Sequence, residues 1–391
     1  MFAESLKLCD FRNYEKLEME FGREMNIIYG DNGNGKTNIL ESLYLCAAGR
    51  SHRTARDADM IRNGAGAYYV KAAYRREGGA QEEPETVEAG YSSGGKKLIK
   101  INGEAVDRIG KGIGRLKAVI FSPEDVMVIR NSPGDRRRLI DMAISQQRPS
   151  YIFDLQKYNR IILQRNALLR QIRAETARRG AASGTISRAA SKAADTLDVW
   201  DESLVKVGAV IMAQRRKYIE VLNRIFSEFY SDISGSKSEN AEIKYAPSVR
   251  VEETEDQIAC IEDIFRNTLK KTRDREIEAC CTLAGPQRDD LRFMLGGCDF
   301  RNYGSQGQQR TAMLAMKLSE AEMINTVAEE PPLLLLDDVM SELDAKRRKY
   351  LCSRIQGRQT FITSADRDTG IENMSVKRYY YVVKGRVERE K

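Results

Sequence analysis

No two of the seven cysteines (Cys9, Cys46, Cys260, Cys280, Cys281, Cys298 and Cys352) have C-x-x-C spacing, and their number is odd. That pattern fits neither a disulfide framework nor a zinc site, so reduced thiols in a cytoplasmic protein are the expectation. Histidine is almost missing. His52 is the only one, and a single imidazole is no metal-ligand set; a surface or hydrogen-bonding role is expected of it. Also missing is any apolar run near the ~20 residues of a membrane helix, and the opening MFAESLK lacks the apolar core of a signal peptide. There is no internal repeat and no low-complexity tract. Neither sign of charge dominates: 64 Lys plus Arg against 57 Asp plus Glu leave +7, compatible with nucleic acid without requiring it. With 41% hydrophobic and 31% charged residues the composition is that of a folded globular protein, and 391 residues suffice for two or three domains with cores of their own.

Periodicity divides the chain into α/β, helical and α/β parts. Residues 1–30 read as short strands, with apolar and charged residues alternating through Leu17-Glu18-Met19-Glu20-Phe21. Ile39, Leu40, Leu43, Tyr44 and Ala47 then recur at helical spacing until Gly49. Residues 68–120 return to strand patterns broken at Gly78-Gly79 and Gly94-Gly95, predicting a small antiparallel sheet. From about Arg136 to Arg178 the pattern is helical, with Ile152, Leu155, Tyr158, Ile162, Arg165, Leu169 and Ile172 on one stripe. Residues 179–187 are small and read as flexible. A second helical stretch, from about Ser191 to Ser231, carries Leu197, Trp200, Leu204, Val207, Ile211, Tyr218, Leu222 and Phe226 on one face. At 1.5 Å per residue it reaches roughly 60 Å if unbroken, and the pair predicts an antiparallel helical arm. Leu333-Leu334-Leu335-Leu336 has the continuous apolar character of a buried parallel strand, and Thr360-Phe361-Ile362-Thr363 reads as another.

The chemistry is concentrated in three motifs. Gly30-x4-Gly35-Lys36-Thr37, between an apolar strand and a helix, is a phosphate-binding loop pattern. Its glycines let backbone N–H groups turn inward on phosphate oxygens, and the candidate ligand residues are Gly30, Asn32, Gly33, Asn34, Gly35, Lys36, Thr37 and Asn38. Lys36 supplies a point charge for the β and γ phosphates of ATP, and the Thr37 hydroxyl is suited to Mg²⁺. The apolar strand 333–336 delivers Asp337 and Asp338 at its C-terminal end, where α/β sheets bind ligands. Asp337 is expected on Mg²⁺, and Asp338 is expected to orient or deprotonate the attacking water, with Lys36 and Asp338 as the catalytic pair. The plain structural reading of the two acids is a strand running into a helix N-cap. Finally, Ser305, Gln306, Gly307 and Gln308 open a helix and form a second candidate anion site. One nucleotide does not need two such sites from one chain, so the second is expected to serve the nucleotide of another subunit.

These motifs carry a resemblance. Ser305-x-Gly307-Gln308 is similar to the signature of ABC-type ATPases, and Ser341-Glu342-Leu343-Asp344 resembles their D-loop, with Ser341 and Asp344 as its key residues. The phosphate loop, Ser51-His52-Arg53-Thr54, Phe121-Ser122-Pro123-Glu124-Asp125, the run from Ser132 to Arg138, and Gly285-Pro286-Gln287-Arg288-Asp289-Asp290-Leu291 together resemble the RecF family of bacterial recombination proteins. The match extends over almost the whole chain, its helical middle being poor in motifs. The resemblance implies an α/β fold: an ABC-type ATPase head, with a phosphate-loop sheet and a small antiparallel β subdomain, carrying an inserted helical arm. Residues 1–131 and 284–391 would be the two parts of the head and 132–283 the arm. It further implies an ATP-dependent homodimer with two ATP molecules sandwiched between heads, and DNA as partner at single-strand gaps, single-strand/duplex junctions and duplex. It implies help in loading RecA together with RecO and RecR, with no membrane partner, and a weak, DNA-stimulated ATPase acting as a switch. Residues 121–125 would occupy the Q-loop region, and Arg136, Arg137 and Arg138 are candidate DNA contacts. The alternative for these arginines is pairing with acids, because adjacent helical side chains point different ways.

Departures from the pattern point to a slow timer. Asp338 stands where most ABC enzymes have the longer Glu, and no switch histidine follows strand 360–362, leaving Thr363, Ser364 or Asp366 for the γ-phosphate. Gln287 stands where the RecF motif usually has His, and Gln cannot become a cation near neutral pH. Two other ABC-type systems compete as readings. A transporter ATPase is disfavoured by the missing histidine and the long helical insertion. A chromosome-organising protein would need hundreds of coiled-coil residues where this chain has about 150 helical ones without a long heptad run.

Overall fold

The computed structural model describes residues 1–76, 83–106, 109–178, 188–236, 239–251, 258–368 and 377–389. Its centre is a six-stranded sheet in the order β15 (Arg386–Arg389), β14 (Lys377–Val383), β3 (Met25–Tyr29), β13 (Thr360–Ser364), β12 (Leu333–Asp337) and β8 (Ala118–Phe121). Five strands are parallel, and β15 folds back on β14 as an antiparallel hairpin. Side-chain alternation splits the sheet between two cores: Ile28, Leu333 and Leu335 face one, Ile27, Leu334 and Leu336 the other. Burial on both faces is why the Leu333–Leu336 run reads as continuously apolar. Each such leucine contributes about 1.5–3 kcal/mol by leaving water.

The first core is closed by helix α1 (Lys36–Ala48) and by an antiparallel sheet of β1 (Phe2–Phe11), β2 (Tyr14–Glu20), β4 (Ala67–Arg75), β5 (Glu85–Ser92), β6 (Lys97–Ile101) and β7 (Glu104–Ala105). That sheet is larger than the sequence implied, because the two N-terminal strands join it in the order β2-β1-β4-β5-β6-β7. On β2 the alternation is as expected, Leu17 and Met19 buried and Glu18 and Glu20 exposed. Gly94-Gly95 does form a turn, whereas Gly78-Gly79 lies outside the described residues.

The second core continues out of the head into helices. After α2 (Val126–Arg130), the stretch expected as one helix from 136 is two, α3 (Pro133–Gln147) and α4 (Pro149–Arg178), because Pro149 cannot continue the α3 ladder. Helix α5 (Arg188–Ser234) is unbroken over 47 residues, about 70 Å. The expected flexible link, 179–187, lies outside the described residues. Arg165 meets Asp201 while Tyr158 lies against Gly208, so α4 and α5 run antiparallel. A third helix, α6 (Ile258–Ala279), was not anticipated; a Cβ on Gly208 would stand 2.7 Å from the Phe265 ring of α6, so glycine sets that close approach. Buried Arg165 binds Asp201 and Glu276 at 2.6 Å each and Thr282 at 2.9 Å, tying the three helices together.

A small third sheet, β11 (Cys298–Asp299), β10 (Asp290–Leu295) and β9 (Ala241–Ala246), pairs a strand before residue 284 with strands after it. Helix α7 (Phe300–Tyr303) leads to α8 (Gln306–Ala328), which packs on α5; α9 (Val339–Glu342) and α10 (Ala345–Ile355) follow β12. Because the strands are parallel, Tyr29, Phe121, Asp337 and Ser364 all end at one edge.

Candidate functional site

At that edge the loop after β3 is braced from outside. Gly30 has φ 140°, and a Cβ there would lie 2.3 Å from the carbonyl oxygen of Val382 on β14. Gly35, φ 110°, would place a Cβ 2.5 Å from the Asn13 amide. Only glycine satisfies both the backbone and the space. The Tyr14 hydroxyl donates to the Gly35 carbonyl at 3.0 Å, and the Asn13 amide donates to the Asn34 carbonyl at 2.8 Å. Asn38 donates to Asn13 Oδ1 at 2.8 Å, and Asn34 Nδ2 donates to the Val382 carbonyl at 3.3 Å. The side chains of Asn34 and Asn38 are thus occupied in scaffolding. Asn13 and Tyr14, in and just after the β1–β2 turn, are the residues that sequence reasoning missed; nothing in a two-residue turn signals a brace 21 positions away.

Inside the loop, Lys36 Nζ donates to the carbonyls of Gly30 (2.5 Å) and Asp31 (2.9 Å) and reaches Asn32 Oδ1 at 3.5 Å. Burial lowers its proton affinity, while Asp338, Asp337 and Asp31 oppose that. Gly33, φ 82°, has open space around it, leaving the loop backbone accessible.

Thr37 and Asp337 meet directly. The Thr37 hydroxyl donates to Asp337 Oδ1 at 2.8 Å, and Thr363 donates to the same oxygen at 2.7 Å. Burial pushes the Asp337 carboxyl above the usual range against the pull of these two hydroxyls. Thr363 Oγ1 also accepts from the Asp338 N–H at 2.9 Å, so both its hydrogen-bonding capacities are used in positioning the two acids. Asp338 itself lies in the left-handed region, φ 52°, and Ser341 donates to its carbonyl (2.8 Å) and to Oδ1 (3.1 Å). A donor set of one carboxylate, one hydroxyl and substrate phosphates is the kind Mg²⁺ takes, and it needs no three-acid cluster, of which there is none among the described residues.

The 305–308 segment is built separately. Ser305 caps α8, accepting from the Gln308 N–H at 3.2 Å, while Gln308 Oε1 accepts from the Ser305 N–H at 3.0 Å. Ser305 and Gln306 are exposed, Gly307 and Gln308 half-buried. Arg347 on α10 bonds the Gly307 carbonyl (3.1 Å) and Thr311 Oγ1 (2.8 Å) and pairs with Asp344, whose Oδ1 accepts the Arg347 N–H at 2.9 Å. Arg310 pairs with Glu342. Two arginines therefore lock residues 305–311 to residues 342–347, a link visible only once α8 and α10 are side by side.

Two expectations are corrected. Arg136 is 3% exposed; it binds both oxygens of Asp290 (2.7 and 3.0 Å) and three backbone carbonyls, so its guanidinium is held inside the fold and offers nothing to DNA. This does not extend to Arg137 and Arg138, which are half-buried and donate to the backbone carbonyls of Asp289 (2.5 Å) and Ser51 (2.8 Å). His52 is half-buried rather than exposed, and its enclosed ring nitrogens have no hydrogen-bond partner among the described residues; the ring sits edge-on to Tyr44 at 5.6 Å, and burial pushes its pKa down to about 4. Gln287 accepts from the Tyr158 hydroxyl at 2.5 Å and donates to the Ala284 carbonyl at 2.9 Å, a neutral link between head and arm.

Comparison with known proteins agrees with this architecture. Residues 2–388 match the family model described as RecF/RecN/SMC N terminal domain. The chain is 40% identical over 368 residues to the DNA replication and repair protein RecF of Acetivibrio thermocellus, covering 94% of each chain. It is 37% identical over 391 residues to RecF of Lachnospira eligens, covering 100% of both. Among solved structures it resembles the recombination mediator protein RecF with ATP in the RecFOR pathway, with TM-score 0.87, 34% identity and coverage of 100% of this chain and 98% of that one. The Smc head domain of Pyrococcus furiosus, at TM-score 0.54 and 16% identity over 100% and 96% of the two chains, shares the fold alone. This chain belongs to the RecF family of DNA replication and repair proteins, and its fold is that of an ABC-type ATPase head.

Proposed function

We propose that this RecF-family chain is an ATP-gated DNA-binding protein of recombinational repair, whose two-subunit closure is driven by ATP and reset by slow hydrolysis. What supports the reading most is the exposed cap of α8: Ser305 and Gln306 present a helix N-terminus to solvent, while the phosphate loop of the same chain has its own helix, α1. A free anion-binding end on each copy is complementary to a triphosphate held by the other.

In this reading the N–H groups of residues 30–36 and the Lys36 ammonium would hold the β and γ phosphates, and Thr37 with Asp337 would hold Mg²⁺. When bound, the ion neutralises phosphate charge. Lys36 gives up contacts to loop carbonyls for contacts to phosphate oxygens. Asp338, oriented by Ser341 and by its own strained backbone, accepts a proton from water attacking the γ-phosphate. Thr363, occupied with Asp337 and Asp338, does not take the place of the missing switch histidine. Ser364 and Asp366 remain for that contact. A short acid and no histidine make hydrolysis slow, so the nucleotide acts as a timer.

Closure depends on contacts to the γ-phosphate that exist only between two heads, and losing them shifts the population back to monomers. Closure also brings two basic surfaces onto one DNA, giving salt-dependent and largely sequence-independent affinity for gaps, junctions and duplex. The relatives solved with nucleotide belong to the RecFOR pathway, which supports RecO and RecR as partners here; in this reading the outcome is RecA loading. The test is a fluorescence-anisotropy titration of gapped, single-stranded and duplex DNA with ATP, with ADP and without nucleotide. Tighter binding to gapped DNA with ATP supports the reading; affinity indifferent to nucleotide contradicts it.

A further inference from the structure

Three motifs that the nucleotide site leaves unused converge on one place. Arg138, at the end of the Ser132–Arg138 run, donates to the carbonyls of Ser51 (2.8 Å) and Thr54 (3.4 Å). Arg137 donates to the carbonyl of Asp289 at 2.5 Å, and Arg215 of α5 donates to that of Pro286 at 2.6 Å. Where they meet lies a cavity of about 330 Å³ bordered by Arg50, Arg137, Arg138, Arg215, Asp141 and Gln156, with Gly134 of the first turn of α3 also on its wall.

The charge balance of this cavity is one-sided. Among the described residues Asp141 is the only carboxylate on its wall, and it is already taken by Arg215 at 2.9 Å and the Tyr151 hydroxyl at 2.6 Å. Among the described residues, no carboxylate lies within ion-pair distance of Arg50, Arg137 or Arg138. Arg50 is exposed at the mouth, where partial desolvation and then Arg138 lower its proton affinity; burial and then Arg215 lower that of half-buried Arg137, and Asp289, Asp141 and Asp290 oppose this. Arg215 is matched by Asp141 and, at 3.4 Å, by Asp289, which leaves the guanidiniums of Arg50, Arg137 and Arg138 as an excess of positive charge on the wall; such an excess favours an incoming anion, and arginine forks match the geometry of phosphate oxygens. The start of α3 adds the positive end of a 15-residue helix.

We propose that this cavity binds a phosphate group, supplied by a nucleic-acid strand or by a free oligophosphate. It is separate from the nucleotide site. Arg50 follows the C-terminal end of α1, whose 13 residues put it about 20 Å from the phosphate loop at the other end. Its walls come from the head (Arg50), from α3, and from the arm (Gln156 on α4 and Arg215 on α5), so a bound phosphate clamps arm to head. The inference does not depend on ATP binding or dimerisation.

The test uses the full chain carrying Lys36→Ala, so that the phosphate loop does not contribute. Inorganic pyrophosphate is titrated by calorimetry at fixed ionic strength into this chain and into versions adding Arg50→Glu or Gln156→Glu. Among the described residues neither of these two side chains makes a hydrogen bond, and Gln156→Glu keeps every arginine; thermal melting checks each fold. Saturable binding that falls at least tenfold in both variants is the expected result. No saturable binding, or binding unchanged by both substitutions, overturns the proposal. A competition arm with a twenty-residue oligothymidylate identifies the source. Displacement of pyrophosphate assigns the site to a nucleic-acid phosphate, and failure to displace bound pyrophosphate assigns it to a free oligophosphate.

Discussion

The Thr37 hydroxyl donates to Asp337 Oδ1 at 2.8 Å, joining residues 300 positions apart at the base of the phosphate loop. In the proposed function this hydroxyl and carboxylate, held in contact at the start of α1, would be the protein half of a Mg²⁺ site. Asp337→Asn keeps the shape and removes the charge. Its Mg²⁺-dependent gain in ATP affinity is expected to fall at least tenfold, about 1.4 kcal/mol, while Mg²⁺-free binding changes little. Equal loss under both conditions, measured by calorimetry, contradicts the assignment.

Asp338 lies one residue further, gripped by Ser341. Asp338→Asn cannot accept a proton from water, so steady-state ATP hydrolysis is expected to fall about 10²-fold or more. ATP-driven association should persist and outlast that of the unaltered chain. A variant that hydrolyses normally removes Asp338 from the mechanism.

The arm is held at Arg165, fully buried between Asp201 and Glu276. Arg165→Met leaves the buried carboxylate of Glu276 without its cation and leaves Asp201 to Arg273, and the expected loss is about 3–5 kcal/mol. Urea unfolding measures it; a change below about 1 kcal/mol, the scale of a surface pair, contradicts the geometry.

Glu320 on α8 lies 3.8 Å from Lys317, which is 3.6 Å from Asp125. Burial pushes the Glu320 carboxyl up to about 7, against the Lys317 charge. The folded-state pKa is raised, so the native state binds this proton more tightly. The stability it contributes is complete below the ordinary value of 4.5 and is lost as pH rises through about 7. Asp125 is raised in the same sense, and Lys317, at about 12, titrates outside this window. Glu320→Gln is therefore expected to raise the melting temperature at pH 8, by up to about 3 kcal/mol of stability, with the gain fading toward pH 5. A loss at pH 8 reverses the sign and contradicts the account.

Much of this site was legible in the sequence, because its parts are local. Gly30, Gly35, Lys36 and Thr37 announce themselves by spacing, and Leu333–Leu336 followed by Asp337 reads as a strand delivering an acid. The arm stripes were legible for the same reason, since Leu204, Leu222 and Phe226 repeat on a helical period and are fully buried. What could not be read was contact across the chain. The Asn13 brace lies 21 positions from Asn34, and the Arg347 hold on Gly307 spans 40. Arg136, the first of three arginines offered as DNA contacts with acid pairing as the alternative, takes the alternative, drawn inside by Asp290, 154 positions away. His52 looked polar, yet its ring nitrogens are enclosed with no hydrogen bond to any described residue.

The central claim is that the Ser305 end of α8 closes on triphosphate held by another copy. Sedimentation velocity of the unaltered chain and of Ser305→Arg, each with ATP and Mg²⁺, tests it most directly. The account requires dimers of the unaltered chain only with ATP, and a Ser305→Arg variant that still binds ATP but sediments as a monomer. Dimers of Ser305→Arg as strong as those of the unaltered chain, or an unaltered chain that stays monomeric with ATP, contradict it.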